Sequence, residues 1–116
     1  MTHITGGCHC GAMRFEADGD FSTGMECNCS HCSMKGFLLA FVPRQSFTLT
    51  KGEEAFSTYH FNKGAIDHNF CKTCGVQPFG YGTGPEGTEM AAINLCCVDN
   101  LDRSTLTIQP VNGKDF

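Results

Sequence analysis

The chain has 116 residues, eight of them Lys or Arg against twelve Asp or Glu, a formal net charge of −4. That length suits one domain, expected over residues 1–116, with a core small enough to gain from a metal staple. The eight basic residues do not cluster, which argues against nucleic acid; no apolar run spans a membrane, and Met1-Thr2-His3-Ile4-Thr5 has no charged-then-apolar leader, so a cytoplasmic location is expected.

In chain order, Gly6-Gly7-Cys8-His9-Cys10-Gly11 comes first, a C-x-C with glycine on both sides, which lets the backbone curl two sulfurs toward one ion. Residues 12–17 alternate, Met13, Phe15 and Ala17 against Arg14 and Glu16, and predict a half-buried strand. Asp18-Gly19-Asp20 predicts a turn. Cys27-Asn28-Cys29-Ser30-His31-Cys32 follows, three thiols in six residues that no hydrophobic period would generate.

The apolar run from Phe37 to Val42, ended by Pro43, predicts a buried strand. Phe47 to Thr50 and Phe56 to Phe61 predict two alternating strands around a turn at Lys51-Gly52-Glu53-Glu54. Cys71-Lys72-Thr73-Cys74-Gly75 is a C-x-x-C-G knuckle, and Val76 to Tyr81 predicts the strand after it. The loop Gly82-Thr83-Gly84-Pro85-Glu86-Gly87 lacks the helix and the Lys-Ser/Thr pair of a phosphate cradle. Met90 to Val98 predicts the longest strand, and Leu106-Thr107-Ile108 the last. No long helix is expected, so the fold class is all-β with metal knuckles at the sheet edges.

The nine cysteines are an odd number, grouped at short spacings as 8 and 10; 27, 29 and 32; 71 and 74; 96 and 97. A reducing compartment disfavours disulfides, and paired short spacings are how thiols meet a metal. Cys8, Cys10, Cys71 and Cys74 make a closed four-thiolate shell, the arrangement of a structural zinc, which would tie the N-terminus to a segment about sixty residues away. Cys27, Cys29 and Cys32 leave the fourth tetrahedral position open, the arrangement of a catalytic zinc. Seven thiolates on two zinc ions add roughly three negative charges to the formal count. A cluster of buried or disulfide-forming cysteines is the simpler alternative for the triad.

Three thiolates acidify a bound water poorly, and the deaminase pairing of H-x-E with P-C-x-x-C is absent. Glu26 adjoins Cys27, with its direction open. Such a soft site is suited to a fourth sulfur, so a small thiol held as a nucleophilic thiolate is the expected ligand. His31 is expected either to donate a hydrogen bond to a sulfur or to the ligand, or simply to face solvent. His9 and His68 are expected to pack or hydrogen-bond around the four-cysteine knuckles. Cys96 and Cys97, on opposite faces of an apolar strand, are expected to be buried and inert.

The order of these motifs resembles the glutathione-dependent formaldehyde-activating enzymes, grouped with centromere protein V. Gly7-Cys8-His9-Cys10-Gly11 is similar to the family's G-x-C-x-C-G opening, and Cys27-Asn28-Cys29-Ser30-His31-Cys32 to its C-x-C-S-x-C. Phe70-Cys71-Lys72-Thr73-Cys74-Gly75 is similar to its F-C-x-x-C-G, and Ile93-Asn94-Leu95 through Asp99 to its late strand. The resemblance implies a zinc-dependent β-tent fold of small antiparallel sheets. It implies a structural zinc on Cys8, Cys10, Cys71 and Cys74, and a catalytic zinc on Cys27, Cys29 and Cys32. Three protein ligands with an open position hold an ion less tightly than four, so the second zinc is expected to be the more easily lost. The implied activity is that of a carbon–sulfur lyase joining glutathione and formaldehyde reversibly as S-hydroxymethylglutathione. The chain stops at Gly113-Lys114-Asp115-Phe116, short of the longer family members, so a different thiol or aldehyde is compatible with the same fold. Two other readings compete: a non-catalytic zinc module that binds a small thiol or a protein partner, and a zinc-free redox triad.

Overall fold

The computed structural model describes residues 2–28, 30–60, 66–84 and 87–111. Among the described residues, ten strands, one short α-helix and three 3-10 turns follow one another along the chain. β1 (Thr2–Gly7), β2 (Arg14–Gly19) and β5 (Phe47–Lys51) form a three-stranded sheet in the order β1-β2-β5. The other seven are β3 (Thr23–Cys27), β4 (Leu39–Pro43), β6 (Phe56–Tyr59), β7 (Ile66–Cys71), β8 (Phe79–Thr83), β9 (Glu89–Asn94) and β10 (Thr107–Val111). They lie in the order β10-β3-β4-β9-β8-β7-β6, antiparallel except for the parallel β10–β3 pair. The all-β class is borne out. The helix α1 (Ser30–Lys35) is under two turns and follows β3 directly.

Period-two alternation explains how the sheets pack. On β2, Phe15 and Ala17 are buried between half-exposed or exposed neighbours; on β4, Ala40 and Val42 are buried while Phe41 is 47% exposed. Phe15 stacks on Phe47 at 5.4 Å between ring centroids, and Phe47 meets Phe79 at 4.9 Å, so one aromatic column joins β2, β5 and β8 across both sheets. Met13, Phe79, Ile93 and Leu95 in the same core are almost fully buried. Such a core resists truncation: Phe→Ala at these sites costs about 3–5 kcal/mol.

Several boundaries differ from the sequence reading. Asp18 and Gly19 continue the β1–β2 ladder opposite His3 and Thr2, so the turn begins only at Asp20, whose carboxylate accepts from the Ser22 N–H at 3.0 Å and hydroxyl at 2.8 Å. The apolar run from Phe37 is not all strand, since Phe37 and Leu38 are buried ahead of β4. The strand expected at Val76 starts at Phe79, because the Val76 carbonyl accepts from the Cys71 N–H at 2.9 Å and Pro78 has no N–H to pair. β9 stops at Asn94, whose side chain accepts from the Cys96 N–H and caps a 3-10 turn at Leu95–Cys97. Cys96 and Cys97 are therefore not on opposite faces of a strand; Cys96 is exposed and only Cys97 is half-buried. Phe61, Pro85, Glu86 and the last five residues lie outside the described residues.

Candidate functional site

The C-x-C and C-x-x-C segments fold as matching knuckles. In the first, the Cys8 N–H donates to the Met13 carbonyl at 3.2 Å, the Gly11 N–H donates to the Cys8 carbonyl at 3.2 Å, and Gly11 has φ +81°. In the second, the Gly75 N–H donates to the Cys71 carbonyl at 2.9 Å, and Gly75 has φ +80°. A positive φ is cheap for glycine alone, which is why each motif ends in one.

The knuckles bring Cys8, Cys10, Cys71 and Cys74 together with all four sulfurs within 4.8 Å of one another. Cys10 Sγ is 3.7 Å from Cys8 Sγ and 3.6 Å from Cys71 Sγ. Four thiolates at about 2.3 Å from a tetrahedral zinc would stand about 3.8 Å apart, so the cage already has the right size. Backbone N–H groups aim at it: Met13 at Cys8 Sγ (3.3 Å), and Thr73 and Cys74 at Cys71 Sγ (3.4 and 3.5 Å).

Electrostatics make the same case. Backbone N–H groups, that of Val76 foremost, pull the Cys74 thiol down to about 6, and backbone donors led by Cys74 lower Cys71. For Cys10 the Ala12 N–H lowers the thiol, but loss of water and the neighbouring sulfurs raise it to about 11. Crowded sulfurs cannot all ionise without a cation among them, and a divalent ion removes that conflict. The residues therefore fit a metal ion. Cys97, pushed up to about 12 by burial and then by the nearby Cys96, Cys8 and Cys74 sulfurs, stays a thiol and donates toward the Gln77 carbonyl at 4.0 Å.

The three-thiol segment lies on other elements. Cys27 ends β3 and is half-buried, Cys32 is buried on α1, and Cys29 lies outside the described residues. Parallel pairing with β10 anchors the entry to this segment, with Val111 opposite Cys27 and the Asn28 N–H donating to the Val111 carbonyl at 3.1 Å. Glu26, beside Cys27, is exposed.

His31 is half-buried rather than solvent-facing, and its ring is 4.1 Å from that of His68, 5.6 Å from Tyr59 and 5.8 Å from Phe37. Burial, and after it Lys35, holds its pKa below the usual range. His68 is 6% exposed and falls to about 4, chiefly through burial and next through His31. Both imidazoles are therefore neutral near pH 7. His68 does not serve the four-cysteine knuckles as expected: three residues before Cys71 it points to the other face of β7, toward α1. His9 is exposed. Sequence reasoning missed Tyr59 and Gln77 here. The available signal was the strand period, which puts His68 and Cys71 on opposite faces of β7 and places Tyr59 opposite His68.

Fold and site together define a nearly all-β protein whose N-terminal strand is clasped to a distant knuckle by four cysteines able to hold a metal ion. The family model for the glutathione-dependent formaldehyde-activating enzyme matches residues 3–112, and the chain belongs to that family. A solved Rhodobacter sphaeroides protein, 24% identical, is similar in fold, with a TM-score of 0.78 over 90% of this chain and 99% of that one.

Proposed function

We propose that this protein is a zinc-dependent carbon–sulfur lyase acting on a thiol–aldehyde adduct, with glutathione and formaldehyde as the substrates its family name suggests. One observation carries the reading. The sulfurs of Cys8, Cys10, Cys71 and Cys74 satisfy one another's geometry as a complete shell, which leaves Cys27, Cys29 and Cys32 for a different task. In this reading the first four hold a structural zinc, and the other three hold a catalytic one with a free position. Bound there, zinc supplies a soft centre that keeps a small thiol deprotonated near neutral pH.

The chain's own residues do the rest. His31, on the turn that carries Cys32, donates a hydrogen bond to a sulfur of the site or of its ligand. The His31 ring packs between those of His68 and Tyr59, and in this reading the three rings bound one flank of the site. In the forward reaction the thiol sulfur adds to the carbonyl carbon, and a C–S bond forms as the C=O π bond opens. The thiol proton ends on the new hydroxyl, and the reverse reaction retraces these steps. All described cysteines are free of disulfides, in keeping with a reducing, cytoplasmic setting.

Exchange NMR on glutathione and formaldehyde tests the reading. Interconversion with S-hydroxymethylglutathione should accelerate well above the uncatalysed rate in the zinc-loaded protein and return to it in Cys32→Ser. Thiol binding without acceleration would leave a non-catalytic thiol-binding module in its place.

A further inference from the structure

His68 is costly to explain as packing. Buried polar side chains are retained where a partner or a task requires them, and an apolar residue would fill this position without a desolvation cost. Its lateral neighbours do not enclose it. On β8 it faces Gly80, where a Cβ would meet the Asp67 carbonyl oxygen at 2.8 Å, and on β6 it faces Tyr59, which is 50% exposed. Gln77, itself buried, approaches His68 Nδ1 at 3.4 Å through Nε2. An amide N–H donating there makes Nδ1 the acceptor and leaves the proton of the neutral ring on Nε2. The His31 ring packs against that of His68, with centroids 4.1 Å apart and planes tilted by 42°.

We propose that His68 is a positioning residue for the three-thiol site: fixed by Gln77, it holds the His31 ring against Tyr59 and so orients His31 toward the sulfur it serves. The inference rests on the preceding reading, in which Cys27, Cys29 and Cys32 receive a small thiol. It assigns to β7, the strand that delivers Cys71 to the four-cysteine cage, a second task on its opposite face. One strand then aligns both cysteine groups.

Three variants test this: His68→Leu removes the ring, His68→Phe keeps a ring face without the nitrogen atoms, and Tyr59→Leu removes the outer ring at a half-exposed position. Each is compared with the wild type by melting temperature, by glutathione–formaldehyde exchange kinetics and by the NMR resonance of the His31 ring proton. In His68→Leu, kcat should fall about tenfold or more with little change in KM, the usual scale for losing an orienting partner at a metal site. The His31 resonance should shift as the neighbouring ring current disappears, and His68→Phe should recover part of the rate. A folded His68→Leu with wild-type kcat and an unmoved His31 resonance overturns the proposal. Should His68→Leu fail to fold, Tyr59→Leu decides: a shifted His31 resonance with lowered kcat supports it, and no change in either overturns it. A wild type that neither binds nor turns over any thiol sinks the underlying reading, and the proposal with it. Wild-type turnover with indifferent variants sinks the proposal alone.

Discussion

Cys10 and Cys71, 61 positions apart in sequence, place their sulfurs 3.6 Å from each other. That contact ties β1 and its knuckle to the end of β7, and so links the three-stranded sheet to the seven-stranded one. Closing so long a loop is entropically expensive, and metal-binding energy appears directly as folding energy when the site is absent from the unfolded chain. Cys71→Ser should therefore lower stability by about 3 kcal/mol or more, about 10 °C or more in melting temperature. Cys27→Ser, at the end of β3, should stay within about 1 kcal/mol of the wild type. Thermal melts of the zinc-loaded variants check the pair, and equal severe losses would contradict the division of labour.

Metal release should occur in two stages. A closed shell binds more tightly than three ligands with an open position, so a mild chelator should first remove one zinc without loss of the fold. The second ion should leave with unfolding. Metal analysis alongside circular dichroism reads both, and a single concerted release would point to one site.

The glycine that closes the second knuckle is a narrower test. A Cβ at Gly75 meets nothing within 4 Å, so Gly75→Ala carries only the backbone cost of φ +80°. That cost is about 1–2 kcal/mol. Gly75→Asn should lose less, because Asn tolerates this region better. Urea unfolding measures both, and an unchanged midpoint in Gly75→Ala would show that the knuckle relaxes.

Stability should also fall with acid through His68. The unfolded chain takes up this proton near the usual histidine pKa of about 6.5, whereas the folded one does so only at about 4. Between those values the unfolded state binds more protons, so stability drops as pH falls through the window, on the order of 3 kcal/mol in all. His68→Gln lacks this group and should show a flatter decline. Thiolate protonation weighs on both proteins alike, so the difference between their unfolding curves at several pH values isolates His68. Identical slopes would contradict a neutral, buried imidazole.

The four-cysteine cage was legible in the sequence because its determinants are local: a C-x-C or C-x-x-C followed by a glycine at positive φ builds each half-site wherever it falls. Strand periods were equally legible, as in Phe15 and Ala17. Boundaries were not, because hydrogen bonds unseen in sequence set them. Asn94 caps a turn where the apolar run continues in the sequence, and the Val76 carbonyl is taken by Cys71. The His31–His68–Tyr59 cluster was hidden for another reason. It depends on α1 folding over the outer face of β7, a tertiary contact between segments about forty residues apart in sequence.

Cobalt substitution tests the central claim most directly, because it turns thiol binding at the three-cysteine site into a colour. With cobalt in both sites, glutathione should strengthen the sulfur-to-metal charge-transfer band, while S-methylglutathione, which has no thiol proton to lose, should leave it unchanged. Cys32→Ser should abolish the response and retain the band from Cys8, Cys10, Cys71 and Cys74. A wild-type spectrum that no thiol alters would contradict the account and mark Cys27, Cys29 and Cys32 as a second structural site or a redox cluster.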